Sequence, residues 1–198
     1  IVDNGIGMNE QDMINSIGTI AKSGTKSFVE ALTGDAKKDS NLIGQFGVGF
    51  YSVFMVADKV DVISKKAGEE TAYKWSSTGT GEFDLSACTK ESAGTVIYIK
   101  LKDDEVSEFA SKYRIKNIVE KYSNHIAYPI FLNYDEEVTQ TLSEEDKKAG
   151  KEAVKTIERK HEQINAATAL WTQAKAKLKD EDYNSFYKSI SQDSSDPM

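Results

Sequence analysis

Glycines at positions 44, 47 and 49 stand directly before Phe50 and an apolar stretch, residues 51–57. Hydrophobic periodicity alone does not separate helix from strand over that stretch, but the preceding glycine loop favours a helix. The backbone amides of such a loop, together with the positive end of a helix dipole, can bind anionic oxygens. The G-x-x-G-x-G spacing differs from the dinucleotide fingerprint and lacks the Lys-Ser or Lys-Thr ending of a Walker P-loop. The segment is therefore a candidate phosphate loop, with a flexible hinge as the alternative.

A second candidate group begins at Asp3, a carboxylate at the end of an apolar strand, and continues with glycines at positions 5 and 7. A buried carboxylate needs hydrogen-bond donors, and the exocyclic amino group of adenine is a suitable donor. The glycines would let a flat ring lie against bare backbone. Thr95, which follows Gly94 at the start of a strand, can share a water with Asp3. The alternatives are an ordinary Asp-Asn-Gly turn and a threonine that is only a good strand former.

Helical patterns flank a central run of strands. Asn9 and Asp12 resemble a capping box, and the apolar residues that follow at helical spacing are Met13, Ile14, Ile17 and Ile20. A second short helix is predicted over residues 26–32 and a flexible polar connection over residues 33–41. Antiparallel strands are predicted next, around Val60, Val62, Tyr73, Trp75, Phe83, Leu85, Val96, Tyr98 and Lys100. Later elements are an amphipathic helix over residues 115–126, a strand over residues 130–132 after Pro129, and a helix over residues 183–190.

The composition excludes several classes of protein. The formal net charge is −7, with basic residues interspersed among acidic ones, which argues against a nucleic-acid partner. No apolar run approaches the ~20 residues that a membrane-spanning helix needs. The single cysteine, Cys88, excludes an intrachain disulfide and indicates a reducing compartment, so we expect a cytoplasmic protein. His125 and His161 have no nucleophile or ligand cluster beside them, so we predict neither a metal centre nor a catalytic triad.

Taken together and in this order, Asp3, the glycine loop and Thr95 resemble the nucleotide-binding motifs shared by DNA gyrase, heat-shock protein 90, histidine kinases and MutL. Residues 18–26 and 43–52 resemble the heat-shock protein 90 family specifically, as do the later segments Tyr128-Pro129-Ile130 and Ala169-Leu170-Trp171. The bacterial type of that family looks closest, because the acidic linker is short and leads directly into Ala-Leu-Trp. The resemblance covers nearly the whole chain.

The resemblance implies an α+β fold, a two-layer α/β sandwich of the Bergerat ATP-binding type with a mostly antiparallel sheet and helices on one face. It implies an N-terminal ATP-binding domain over residues 1–134, a charged hairpin or linker over residues 135–163, and the start of a middle domain over residues 164–198. The first residues read as a strand entered halfway, with neither a signal peptide nor an initiator methionine. We therefore expect a fragment truncated at its start.

The resemblance also assigns binding roles to particular residues. Asp3 would accept the adenine amino group, and Gly7 and Thr95 would hold waters around the base. The amides around Gly47 would bind the terminal phosphates, and residues 23–49 would form a lid over bound ATP. Met8 and Phe50 would form apolar walls, Asn15 and Ser16 would face the sugar, and Lys22 would reach the phosphates. The predicted site is Asp3, Gly7, Met8, Asn15, Ser16, Lys22, Gly47, Val48, Gly49, Phe50 and Thr95.

The implied function is that of a chaperone ATPase module, whose binding of ATP with Mg²⁺ closes a lid and remodels client proteins as a homodimer in the stress response. The glutamate and the Mg²⁺-binding asparagine of the family are expected upstream of this chain, and an arginine beyond it. We therefore assign no catalytic residue here and expect the chain alone to hydrolyse ATP poorly. The alternatives are a histidine kinase or topoisomerase relative, and a non-enzymatic nucleotide-binding scaffold.

Overall fold

The structure is a computed structural model that describes residues 1–19, 22, 44, 46–139, 155–168, 170, 173–191, 193 and 195–197. The chain divides into two compact units, residues 1–106 and 107–198. The three-part division predicted from the sequence, with boundaries after residues 134 and 163, stays a prediction. Within the described residues, none of the helices has the length and apolar character needed to cross a membrane.

The first unit combines short helices with an antiparallel sheet. Its elements are α1 (Glu10–Ser16), a 3-10 helix (Gly49–Met55), β1 (Ala57–Lys65), β2 (Ala72–Ser77), β3 (Asp84–Cys88) and β4 (Gly94–Leu101). The sheet order is β3-β2-β1-β4, and every pair of neighbouring strands is antiparallel. Val2 forms an isolated antiparallel bridge to Val96 in β4. The predicted α+β fold with an antiparallel sheet is confirmed. The strands do not form a simple meander, because β4 pairs with β1 at the edge opposite β3.

The apolar core of this unit lies on one face of the sheet. Because side chains alternate along a strand, Val60, Val62 and Ser64 of β1 share a face, and they are 0%, 1% and 0% exposed. Val62 is paired in register with Trp75, which is 2% exposed. Full burial of each large apolar side chain contributes about 1.5–3 kcal/mol. The buried cluster consists of Met13, Ile17, Ala57, Val60, Val62 and Trp75.

A capping box holds the start of α1, as predicted. The Asn9 side chain accepts the Asp12 backbone N–H at 2.9 Å, and the Asp12 carboxylate accepts the Asn9 N–H at 3.3 Å. The helix ends at Ser16, and the carbonyl of the following Ile17 accepts the Tyr51 hydroxyl at 2.7 Å. Burial raises the pKa of that hydroxyl above its usual value. The bond joins the end of α1 to the 3-10 helix.

The second unit is built around a hairpin. The elements from the junction onward are α2 (Val106–Phe109), α3 (Lys112–Ser123), β5 (Phe131–Thr139), β6 (Lys155–Gln163), a 3-10 turn (Lys175–Lys177) and α4 (Asp180–Ser191). β5 and β6 pair antiparallel over nine register positions, from Phe131–Gln163 to Thr139–Lys155. Of the two readings of the charged segment, hairpin or linker, the paired strands favour the hairpin.

Several predicted elements need correction. The apolar stretch after the glycine loop is a 3-10 helix that ends at Met55, and β1 begins at Ala57. β3 begins at Asp84, so Phe83 precedes the strand and instead stacks its ring on Trp75 at 5.9 Å. β5 is longer than predicted because strand β6, distant in sequence, supplies backbone partners along its whole length. The predicted helix 26–32 and connection 33–41 lie outside the described residues.

Candidate functional site

Asp3 is hydrogen-bonded to the start of β4. Its backbone N–H donates to the Thr95 carbonyl at 2.9 Å, and its own carbonyl accepts the Thr95 N–H at 3.2 Å. The carboxylate Oδ1 accepts two further N–H groups, from Gly5 at 2.9 Å and from Thr95 at 3.2 Å. The side chain is exposed in the described chain, whereas the sequence analysis assumed a buried carboxylate. With Oδ1 engaged by the backbone, Oδ2 is the oxygen that an external donor can reach.

Gly7 and Gly94 let the segment that follows Asp3 pass against the sheet. Both have left-handed backbone torsions, with φ values of 68° and 110°. A Cβ atom on Gly7 would lie 1.9 Å from the Lys65 carbonyl oxygen, and one on Gly94 would lie 2.3 Å from the Asp3 carbonyl oxygen. Any side chain at either position would therefore push this segment away from β1 and β4.

Thr95 is buried and shares a hydroxyl contact with Ser64. Thr95 is 7% exposed, and its Oγ1 lies 3.0 Å from Ser64 Oγ. Ser64 Oγ also accepts the Met8 N–H at 2.8 Å and lies 3.2 Å from the Gly94 carbonyl oxygen. The predicted residues Asp3, Met8 and Thr95 are thus joined in one hydrogen-bonded group, although Thr95 is more than eighty positions from the other two in sequence.

Met8 and Phe50 both lie against the apolar core. They are half-buried and pack on the cluster that contains Met13 and Trp75. The Phe50 ring meets the Trp75 ring edge-on, with the ring centroids 5.6 Å apart. Part of each side chain is therefore used by the core, and part remains accessible. Their predicted role as apolar walls of a ligand site stays a prediction.

Asn15, Lys22 and Gly47 form a second group. The Lys22 ammonium donates to Asn15 Oδ1 at 3.2 Å. Gly47 has a φ of 64°, and an added Cβ would lie 2.2 Å from the Lys22 carbonyl oxygen. The glycine loop therefore passes directly against the backbone at Lys22. Three predicted residues from three separate segments meet here.

The remaining predicted residues stand apart from these contacts. Ser16 is half-buried at the end of α1, and Val48 is 54% exposed. A Cβ on Gly49 would meet no atom of the described residues within 4 Å, so those residues give no steric reason for glycine there. Their predicted roles rest on sequence alone.

Helix α1 connects the two groups. It has seven residues, so at the usual rise per residue it spans about 10 Å. Met8 lies just before its first turn, while Asn15 and Ser16 lie in its last turn. The carboxylate of Asp3 belongs to the first group and the cation of Lys22 to the second. The two groups therefore present opposite charges near opposite ends of one short helix.

Comparison with known proteins identifies the family. Residues 1–111 match the profile described as histidine kinase-, DNA gyrase B-, and HSP90-like ATPase, which is more than half of the chain. The chain belongs to this HSP90-like ATPase family. Residues 133–198 match a second profile, described as Hsp90 protein. The resemblance to heat-shock protein 90 found in the sequence is confirmed.

Several curated relatives of this HSP90-like ATPase chain are named chaperone protein HtpG. The chain is 87% identical to that of Aliarcobacter butzleri and 65% identical to that of a Sulfurovum species, each over 198 residues and all of the chain. It is 54% identical to that of Helicobacter pylori over the same length. The chain spans 31% of the length of each of these relatives.

Two residues of the first group were not assigned to the site from the sequence of this HSP90-like ATPase chain. Gly94 was named only as the residue before Thr95, although its φ of 110° and its contact with Asp3 make it part of the group. Ser64 was not singled out at all. A signal existed, because Val60, Val62 and Ser64 occupy alternate positions of one strand, and a polar residue in an inward-facing row needs a partner.

A pocket of about 440 Å³ lies elsewhere, at the connection between β2 and β3. None of the predicted site residues of this HSP90-like ATPase chain lines it; its lining is Lys59, Ser76, Ser77, Thr78, Thr80, Gly81, Glu82, Phe83 and Asp84. We place the candidate site at the two residue groups because they combine hydrogen-bonding atoms of opposite charge with glycine-lined backbone. The pocket lining also has a lysine, two carboxylates and Gly81, but it contains none of the residues predicted to bind nucleotide.

Proposed function

We propose that this chain is the ATP-binding module of a molecular chaperone, and that the longer protein couples ATP binding and hydrolysis to client folding. The single observation that carries the proposal is the arrangement around α1. Hydrogen-bonding groups at Asp3 and Thr95 lie near one end, and Asn15, Lys22 and the glycine loop lie near the other. The HtpG names of the relatives favour this function over a kinase or topoisomerase.

The first group suits the adenine end of ATP. Asp3 Oδ1 is engaged by two backbone N–H groups, which leaves Oδ2 to accept the 6-amino group of the base. Thr95 adjoins that carboxylate through its N–H and carries a hydroxyl that contacts Ser64, while Gly7 lets the segment after Asp3 pass closely against Lys65 of β1. Hydrogen bonds to a charged acceptor are stronger than neutral ones. We therefore propose that Asp3 provides the main base contact.

The second group suits the phosphates. Lys22 is exposed and is held by Asn15, so its ammonium can move from an amide oxygen to a phosphate oxygen at small cost. The glycine loop turns at Gly47 beside Lys22, and its amides at Val48 and Gly49 are those we propose to bind the terminal phosphates. ATP and its Mg²⁺ would supply the reacting phosphoryl group and charge neutralisation. The chain's own residues bind and orient the nucleotide.

Residues 23–49, of which 44 and 46–49 are among the described residues, are proposed from the family resemblance as a lid that closes over bound ATP and commits it to the site. For the longer protein we further propose ATPase activity, assembly as a homodimer, unfolded client proteins as partners, a cytoplasmic location and a role in the stress response. These proposals follow from the family and the names of the relatives.

Replacement of Asp3 by Asn tests the base contact. The change substitutes a neutral amide for the carboxylate while keeping its size, so ATP affinity should fall at least tenfold, since hydrogen bonds to charged groups contribute about 1.5–3 kcal/mol. Affinity is measured by isothermal titration calorimetry on a protein of the relatives' full length. Asp84→Asn is the matched control, because Asp84 is an exposed carboxylate on β3 outside the site. Unchanged ATP affinity in Asp3→Asn would refute the base contact.

A further inference from the structure

Ser64 is an unusually well connected residue outside the predicted site. It is 0% exposed and lies on β1 opposite Thr95 of β4. Its Oγ is within hydrogen-bonding distance of three groups: the Met8 N–H at 2.8 Å, the Gly94 carbonyl at 3.2 Å and the Thr95 hydroxyl at 3.0 Å. A polar group is costly to bury unless its hydrogen-bonding capacity is used. Ser64 forms these hydrogen bonds with the segment that follows Asp3 and with the start of β4.

The hydrogen atoms available at Ser64 allow two arrangements. A serine hydroxyl has a single hydrogen to donate and two lone pairs, and the Met8 N–H occupies one lone pair. If Ser64 donates to the Gly94 carbonyl, the Thr95 hydroxyl donates to Ser64 and keeps its own lone pairs free. If Ser64 donates to Thr95 instead, the Thr95 hydroxyl keeps its own hydrogen free to donate. The Gly94 carbonyl can only accept, so the 3.2 Å contact takes the Ser64 hydrogen and gives the first arrangement, in which the Thr95 hydroxyl donates to Ser64.

We infer that Ser64 is a positioning residue for base recognition: it fixes the Met8 amide and sets whether the Thr95 hydroxyl donates or accepts. The inference rests on the proposed function, in which Thr95 lies beside the base. An adenine edge carries both a donor, the amino group, and an acceptor, the neighbouring ring nitrogen. A hypoxanthine edge reverses both. A Thr95 hydroxyl whose hydrogen is donated to Ser64 can only accept from a ligand, which suits the adenine amino group and not the hypoxanthine oxygen. Without Ser64 that hydrogen is free to turn toward either base, and the preference is lost.

The third contact of Ser64, to the Thr95 hydroxyl, links it to the residue whose amide donates to Asp3 Oδ1 at 3.2 Å. A purely structural role, in which Ser64 only satisfies that buried hydroxyl, and a positioning role predict different effects on base binding. Ser64 thus joins the Met8 side of the group to the Asp3 side. Removing its hydroxyl should alter discrimination between bases as well as stability.

Base discrimination separates these roles experimentally. ADP and IDP share ribose and phosphates and differ in the base, so the ratio of their dissociation constants reports on base recognition. In a protein of the relatives' full length, Ser64→Ala should raise the dissociation constant of ADP about 5–10-fold and that of IDP less than twofold. The size of the first change is that expected for one or two lost hydrogen bonds. Ser64→Thr retains the hydroxyl and should restore most of the preference for ADP.

Ser77→Ala is the matched control. Ser77 is also buried on the sheet, accepts an N–H from Gly79 at 3.1 Å and donates to the Glu82 carbonyl at 2.6 Å, away from the candidate site. The Ser77→Ala change should lower the melting temperature without changing the ratio of the ADP and IDP dissociation constants. If Ser64→Ala is unfolded at the assay temperature, Ser64→Cys decides the matter, because it keeps the volume and weakens the hydrogen bonds.

The outcomes are distinct. A preference for ADP that falls in Ser64→Ala or Ser64→Cys and persists in Ser77→Ala supports the inference. An unchanged ratio in the folded Ser64 variants overturns it and leaves the proposed function intact. A wild-type protein that binds neither ADP nor IDP overturns the proposed function and this inference with it.

Discussion

The two units of the chain are stabilised by different kinds of interaction. Among the described residues, every buried apolar side chain belongs to the first unit, from Met13 in α1 to Trp75 in β2. The buried residue in the described part of the second unit is Asn165, which is polar and 7% exposed. Its Oδ1 accepts the Ile130 N–H at 2.8 Å, and its Nδ2 donates to the Tyr128 carbonyl at 3.0 Å.

Ion pairs between α3 and the hairpin add to the backbone pairing of β5 and β6 in the second unit. Lys112 and Lys116 of α3 each bind a hairpin carboxylate at 2.6 Å, Glu136 and Glu162 respectively. Both ammonium groups also lie over the Tyr134 ring, 4.6 and 5.2 Å from its centre. Glu136 faces Glu158 directly across the hairpin, a like-charge pair that these lysines offset. We call the five side chains Lys112, Lys116, Tyr134, Glu136 and Glu162 the lysine–tyrosine clasp.

Because of this difference, we expect changes of salt and pH to affect the second unit more than the first. Burial of apolar surface is insensitive to moderate changes of salt and pH, whereas exposed ion pairs are screened by salt and lost when carboxylates gain protons. The first unit should therefore keep its structure under conditions that loosen the second. The candidate nucleotide site lies in the first unit, where the core holds its residues in place.

The largest effect is expected from Met13→Ala. Met13 is 0% exposed in the core of the first unit, and truncation of such a side chain costs about 2–5 kcal/mol through lost burial and a cavity. Hydrogen exchange of the β1–β4 amides should accelerate accordingly, while β5 and β6 stay unchanged. Ile6→Ala is the control, because Ile6 is 74% exposed. Equal acceleration in both units would contradict the proposed difference in how the two units are stabilised.

A smaller loss is expected from Asn165→Ala in the second unit. The change removes the acceptor of the Ile130 N–H and the donor to Tyr128, and an unsatisfied buried group costs about 1–3 kcal/mol. Exchange should accelerate at the start of β5 and remain slow in β1–β4. Asn117→Ala, at an exposed position of α3, is the control. No change on loss of Asn165 would show that polar contacts do not hold this unit.

The smallest effect is expected from the lysine–tyrosine clasp. The hydrogen bond from Lys112 lowers the pKa of Glu136, and those from Lys116 and Tyr134 lower the pKa of Glu162. Because the folded-state pKa values are lowered, the clasp is fully formed above the usual glutamate pKa. It is lost as the pH falls through the lowered values. Exchange of the β5 and β6 amides should therefore accelerate on acidification, and also in about 1 M salt, where the Debye length is about 3 Å.

Lys116→Met should reduce both the acid response and the salt response, because it removes the charge and keeps the apolar stem. Lys121→Met, on the same helix but in contact with Tyr122, should leave both responses unchanged. An acid response of equal size in β1–β4 would contradict the division between the units.

Local patterns were readable from the sequence where one short segment determines the structure. The Asn9–Asp12 capping box depends on residues three apart, and it formed as predicted. Alternation at Val60 and Val62 predicted β1 for the same reason, since every second side chain faces the core. A helix was predicted for the stretch after the glycine loop, residues 51–57. The helix is a 3-10 helix that begins earlier, at Gly49, and ends at Met55, and β1 begins two residues later.

Features that depend on distant segments could not be read in this way. Phe83 was predicted in a strand, but its ring stacks on Trp75 before β3 begins. Ser64 looked like one more strand residue until the fold brought Met8 and Thr95 to its hydroxyl. Lys22 and Gly47 carried no signal that their backbones touch, because twenty-four intervening residues separate them in sequence.

Sequence motifs and alternation were enough to identify the family, the residue types of the candidate site and the succession of strands along the chain, because they are properties of neighbouring residues. The fold was needed to show the order of strands in the sheet, which of the candidate residues meet, and that the buried Ser64 contacts the Thr95 hydroxyl. The physical reason is that hydrogen bonds and steric contacts depend on distances of a few ångströms between segments, and sequence separation carries no such distance.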